Sequence, residues 1–99
     1  MLKRTLLGHV KSTDGFRANI HLRAGELEYV EGDRSARVFA DEDIHGLVQF
    51  ELPPYARWKS GDRELTMTEA DRLRIRERIA DALRHLKLPC RDDSIDAQS

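Results

Sequence analysis

The densest group of possible metal ligands in this chain is formed by Asp41, Glu42, Asp43 and His45, which lie within five consecutive positions. Carboxylate oxygens beside an imidazole are donors that a divalent cation can accept. A calcium-binding helix-loop-helix spreads its ligands over about twelve residues around a glycine, and this spacing does not fit that motif. We therefore interpret the segment as a solvated acidic turn. A small metal-dependent enzyme that uses Asp41, Asp43 and His45 together with Glu51 stays open as an alternative.

The remaining reactive side chains match no catalytic motif. Nucleophilic catalysis needs a hydroxyl or thiol held against a base, and no glycine elbow marks such a residue. The serines at 12, 35 and 60 lie in turn-forming segments, where their hydroxyls commonly bond to the backbone. Cys90 follows Pro89 and has no base beside it in the sequence. We expect a protein that is not an enzyme, with no catalytic residue, no cofactor and no bound metal.

The length and the net charge of the chain argue against nucleic acid and membranes as its binding partners. The chain has 99 residues, with 17 basic and 18 acidic side chains and a net charge of -1. A near-neutral chain has no overall field that attracts nucleic acid, and the apolar run near the N-terminus is too short to span a membrane. The single cysteine excludes an internal disulfide and fits a reducing compartment. We expect one cytoplasmic domain that binds neither nucleic acid nor membrane.

One amphipathic helix is predicted in the last third of the chain. Thr68 and Asp71 have the spacing of a capping box, which marks the first turn. A helical stripe of apolar residues follows, formed by Ile75, Ile79, Ala82, Leu83 and Leu86. Leu73 and Ala80 lie almost opposite this stripe, so a second contact surface, as in a homodimer, stays open.

Short strands separated by turns are predicted before the helix. Phe16, Ala18, Ile20 and Leu22 alternate with polar residues, which is typical of a strand with one dry face. Glycine-containing turns separate this strand from its neighbours, and Pro53-Pro54 interrupts the sheet. The sequence predicts an α+β fold, an antiparallel meander sheet of five or six strands with one C-terminal helix packed on one face. Residues 1–90 form this single domain, and residues 91–99 form a flexible C-terminal tail.

The predicted core combines both kinds of element. It consists of Ile20, Leu22, Val38, Val48, Phe50, Ile75, Ile79, Leu83 and Leu86. The predicted partner-binding residues lie outside this set. Tyr55, Arg57 and Trp58 follow the two prolines, and an aromatic pair with an arginine is a common anchor at protein interfaces. Asp41 and Asp43 complete the set, since exposed charges steer the encounter of two proteins.

Three parts of the chain share features with a known family: Glu28-Tyr29-Val30-Glu31-Gly32, Asp41-Glu42, and the stretch from Trp58 through Gly61 and Leu65-Thr66-Met67-Thr68 to the helix end at Leu86. In these parts the chain resembles small bacterial immunity proteins of polymorphic-toxin systems. It implies a cytoplasmic inhibitor, commonly a strand meander with a helix, that binds and blocks a toxin. Together with the residue patterns, it leads us to expect a protein-binding module whose partner is a protein, for example a toxin. The metal-dependent enzyme and a homodimeric structural domain stay as alternatives.

Overall fold

The structure is a computed structural model that describes residues 2–6 and 9–92. These residues form nine strands and one α-helix, in the order β1 (Leu2–Leu6), β2 (His9–Ser12), β3 (Phe16–His21), β4 (Glu26–Glu31), β5 (Arg34–Glu42), β6 (Val48–Glu51), β7 (Arg57–Ser60), β8 (Arg63–Thr66), α1 (Glu69–His85) and β9 (Cys90–Asp92). A short 3₁₀ turn at Leu22–Ala24 joins β3 to β4. The predicted α+β class with one C-terminal helix is confirmed.

The strands form one curled sheet that is antiparallel except at its β9 edge. Strands β1 to β6 pair in chain order, and β9 adds to β6 in parallel. Strand β5 is long enough to have two neighbours on its far side, because it pairs with β6 over Phe39–Glu42 and with β7 at Ser35. The loop with the two prolines separates these neighbours. A β7–β8 hairpin then leads into the helix.

Helix α1 covers the inner face of the sheet with the predicted apolar stripe. Ile75, Ile79, Ala82 and Leu83 are fully buried, and Trp58 and Tyr29 are the largest buried side chains beneath the helix. Seven of the nine predicted core residues are buried, which confirms most of the set. The other two, Leu22 and Leu86, are half-buried and pack against the core, because one lies in the 3₁₀ turn and the other caps the helix.

Both ends of α1 are closed by local hydrogen bonds. At the start, Thr68 Oγ1 accepts from the Asp71 amide at 3.0 Å and Asp71 Oδ2 accepts from the Thr68 amide at 3.0 Å, which confirms the capping box. At the end, the amides of Lys87 and Leu88 donate to the carbonyls of Arg84 and Leu83, both at 2.9 Å. This pair of bonds is a Schellman motif, and it places Lys87 at a φ of 60°, where glycine is usual.

Two sequence-based expectations need correction. The sheet has nine strands among the described residues and not five or six, since the predicted first strand is two strands and since β7 and β9 are additional. Arg91 and Asp92, predicted to begin the flexible tail, lie in β9 beside β6. The rest of the predicted tail, 93–99, lies outside the described residues. A three-residue strand after Pro89 is too short to show a periodic pattern.

Candidate functional site

A cluster of charged residues joins the helix to the sheet. Glu31, at the end of β4, accepts from the Tyr29 hydroxyl at 2.6 Å and from Arg34 Nη2 at 3.1 Å. Arg74 Nε and Nη2 donate to the two Glu31 oxygens at 3.1 and 3.0 Å, and Arg78 Nη1 donates at 3.2 Å. Three arginines and a phenol thus satisfy one carboxylate. This arrangement holds α1 in place and leaves the carboxylate no room for chemistry.

Arg74 Nη2 also donates to Asp71 Oδ1 at 2.8 Å, and the electrostatics of the cluster keep the carboxylates of Glu31 and Asp71 ionised. Burial alone would raise the pKa of Glu31, but the hydrogen bonds from Tyr29, Arg74 and Arg34 outweigh it and lower the pKa to about 2. Burial is likewise outweighed at Asp71, whose pKa is lowered by bonds from Thr68, Trp58 and Arg74. The pKa of Tyr29 is raised, first by burial and then by its bond to Glu31. None of these groups is therefore poised to exchange protons near neutral pH.

The structure places Trp58 inside the core and not at a surface. Its side chain is 0% exposed, and its indole Nε1 donates to Asp71 Oδ2 at 3.2 Å. The Arg34 guanidinium lies 4.1 Å from the ring centroid, which is cation–π distance. The bond to Asp71 places Trp58 beneath the first turn of α1. The prediction that Trp58 itself contacts a partner is corrected, because a side chain with no exposed surface offers no contact.

The acidic segment is organised by its own backbone. Asp43 Oδ1 accepts from the amides of His45 and Leu47, at 2.8 and 3.0 Å, so this carboxylate shapes the loop between β5 and β6. Asp41 is exposed on β5 and accepts from the Glu42 amide at 2.9 Å. In the described part of the chain, no three His, Cys, Asp or Glu side chains converge as a metal ion would require.

Tyr55 is exposed in the turn between β6 and β7, and Arg57 is exposed at the start of β7. Tyr55 is 75% exposed in the loop between β6 and β7, where the Ala56 amide donates to the Pro53 carbonyl at 3.0 Å. Arg57 is exposed on β7 beside the buried Trp58. Asp41, by contrast, lies on the part of β5 that pairs with β6. The structure therefore distributes the predicted partner-binding residues over separate elements.

The outer face of the sheet carries an exposed aromatic residue that sequence reasoning missed. Along β5, Ala36, Val38 and Ala40 are buried beneath the helix, and Phe39 points the other way with 59% of its surface exposed. The alternation of side chains along this strand indicates that Phe39 is exposed, since it lies between buried residues and shares its face with Arg37.

Carboxylates surround Phe39 on the outer face. Glu26 on β4 and Glu51 on β6 are its direct cross-strand neighbours, and side chains at such positions lie about 5 Å apart at Cβ. Glu28 lies two residues after Glu26 on β4, and Asp41 lies two residues after Phe39 on β5, so both side chains share this face. We call this surface the Phe39 patch, and define it by Glu26, Glu28, Phe39, Asp41 and Glu51. A shallow depression of about 400 Å³ borders Phe39 and includes Asp41 and Glu51.

A second apolar surface lies in a groove of about 510 Å³ between α1 and β9. Leu73, which is 52% exposed, lines it with Ala80 and Cys90. Burial raises the pKa of the Cys90 thiol, so the neutral form prevails near neutral pH. Arg76 on α1 and Asp92 on β9 also line the groove, and they form an ion pair between Arg76 Nε and Asp92 Oδ2 at 2.7 Å. This groove offers apolar contact area, while its thiol is not activated for attack.

No family model matches this chain, and no match is found among curated proteins or solved structures. No helix in the described residues is both long and apolar enough to cross a membrane. The resemblance to immunity proteins therefore stays a prediction.

Proposed function

We propose that this protein is a protein-binding module and that it binds its partner through the open outer face of the sheet. The observation that carries the proposal is the exposure of Phe39 in the middle of a face that no other element of the described structure covers. A large apolar ring among polar side chains is the usual form of an interface anchor with its rim. A rigid sheet also presents that anchor without a loss of backbone entropy on binding.

The finer proposal is an inhibitor of the immunity type that acts in the cytoplasm. An inhibitor needs a stable, preformed surface more than it needs a reactive group, and the Glu31 cluster provides such rigidity by joining α1 to β4. The free thiol of Cys90 suits a reducing compartment. If this proposal is right, the activity of the captured partner is lost in the complex and returns when Phe39 is replaced.

The test is affinity capture from a lysate of the native host, quantified by mass spectrometry. Wild type is compared with Phe39→Ser and with Leu73→Ser, a matched control at another exposed apolar residue. We expect wild type and Leu73→Ser to recover the same protein and Phe39→Ser to recover at least tenfold less of it. Equal recovery by all three, or no protein enriched by wild type, would contradict the proposal.

A further inference from the structure

From the charges around Phe39 we infer the chemistry of the partner, and this inference rests on the proposed function: the Phe39 patch binds a basic protein segment whose lysine or arginine side chains flank an apolar residue. The patch has four carboxylates, Glu26, Glu28, Asp41 and Glu51. Among the described residues, Arg37 on β5 and Arg91 on β9 are arginines that share this part of the face. Four negative charges and two positive charges leave a local charge of -2. The whole chain, in comparison, carries only -1.

The internal contacts leave these carboxylates available to a partner. Arg37 approaches Glu26 at 3.8 Å only, and its side chain is 82% exposed, so this ion pair is weak and open to exchange. Glu28 accepts a hydrogen bond from the uncharged side-chain amide of Asn19 at 3.0 Å, so no cation of the described residues is shown bonded to it. Glu31, in contrast, is enclosed by three arginines on the other side of the sheet. The acidic charge that a partner meets is therefore on the outer face.

The same face is basic at its other end. Lys11, Arg17 and Lys59 lie in one row across β2, β3 and β7, on the side of the sheet that carries Phe39. Glu64 on β8 lies opposite Lys59, so the row has a net charge of +2. An extended segment laid along β5 would thus meet opposite potentials at its two ends. This asymmetry confines a basic segment to the part of the face around Phe39 and Asp41, because extension toward Ser35 places its cations over the basic row.

A second copy of the chain is a poorer occupant than a basic partner. Two copies of charge -1 have no long-range attraction, and contact of patch with patch opposes like charges. A basic partner gains both from steering during the encounter and from burial of the Phe39 ring. This comparison favours a cationic protein surface over self-association.

The experiment uses two labelled peptides as probes and measures binding by fluorescence anisotropy. One is a ten-residue peptide of alternating lysine and valine, and the other is its twin with glutamate in place of lysine. We expect the basic peptide to bind at least tenfold more tightly than its twin. Its affinity should fall at least fivefold between 50 and 300 mM NaCl, because exposed charges are screened at high salt.

Variants locate the binding and separate this inference from the proposed function. Glu26→Gln/Glu51→Gln should weaken binding of the basic peptide at least fivefold, while the control Glu69→Gln/Glu77→Gln, at exposed residues of α1, should not change it. Equal binding of both peptides, or equal effects of both double variants, would overturn the inference. Light scattering that shows a dimer dispersed by Glu26→Gln/Glu51→Gln would assign the patch to a second copy and also overturn it. If host capture depends on Phe39 but not on Glu26 and Glu51, the proposed function stands and the basic partner does not.

Discussion

Replacement of Glu31 by glutamine tests how the helix is held to the sheet. The change keeps the size of the side chain and removes the charge that Arg34, Arg74 and Arg78 share. A pKa lowered from 4.5 to about 2 corresponds to about 3 kcal/mol of stability at neutral pH, because one pKa unit is worth about 1.4 kcal/mol. The Glu31 side chain is 20% exposed, and screening by solvent reduces this figure. We expect Glu31→Gln to cost about 2 kcal/mol at pH 7.

The pH dependence gives the same prediction a second readout. Since the folded-state pKa of Glu31 is depressed, its contribution is complete above about pH 4.5 and is lost as pH falls toward 2. The difference in unfolding free energy between wild type and Glu31→Gln should therefore be largest at pH 7 and shrink between pH 4.5 and 2. Urea unfolding monitored by the fluorescence of the buried Trp58 measures this difference at each pH.

Glu28→Gln is the matched control for this measurement. Glu28 lies on the same strand as Glu31, but on the exposed face. We expect its replacement to change the unfolding free energy by less than about 0.5 kcal/mol at every pH. The reasoning is refuted if Glu31→Gln costs no more than this control at pH 7, or if its cost stays constant down to pH 2.

Three further predictions concern the helix and its ends. Lys87→Gly should stabilise the protein by about 0.5 to 1 kcal/mol in urea unfolding, because Lys87 has a φ of 60° that glycine adopts without strain; a loss of stability would contradict this. Thr68→Ala should cost about 1 kcal/mol by removing one half of the capping box, and a neutral result in thermal unfolding would mean that the cap adds little. Ile79→Ala should cost about 2 to 5 kcal/mol because Ile79 is fully buried, while Leu73→Ala, at an exposed residue of the same helix, serves as its control; equal effects would show that the apolar stripe is assigned wrongly.

The fold class could be predicted because local patterns and the tertiary structure agree. Thr68 and Asp71 mark the helix start through short-range hydrogen bonds, which sequence spacing encodes directly. Ile75 and Ile79 lie on the face that any helix covering a sheet must bury. Strand β9 could not be predicted, because three residues after Pro89 are held by pairing with β6 and have no periodic pattern of their own.

The candidate site was harder to predict because it depends on contacts between distant residues. Glu31 meets Arg74 across 43 positions of sequence, and no short-range rule connects them. Trp58 lies between Arg57 and Lys59 in the sequence, but the alternation of side chains along β7 points it toward the core. The same alternation along β5 points Phe39 toward solvent. Strand alternation, applied to single aromatic residues, would have separated these two roles.

Side-chain footprinting with hydroxyl radicals, on the protein alone and with the captured partner, tests the central claim most directly. It measures the oxidation rate of each exposed aromatic or leucine side chain. We predict that oxidation of Phe39 slows at least fivefold in the complex, while oxidation of Leu73, in the groove between α1 and β9, is unchanged. Protection of Leu73 with no change at Phe39 would contradict the account and move the interface to that groove.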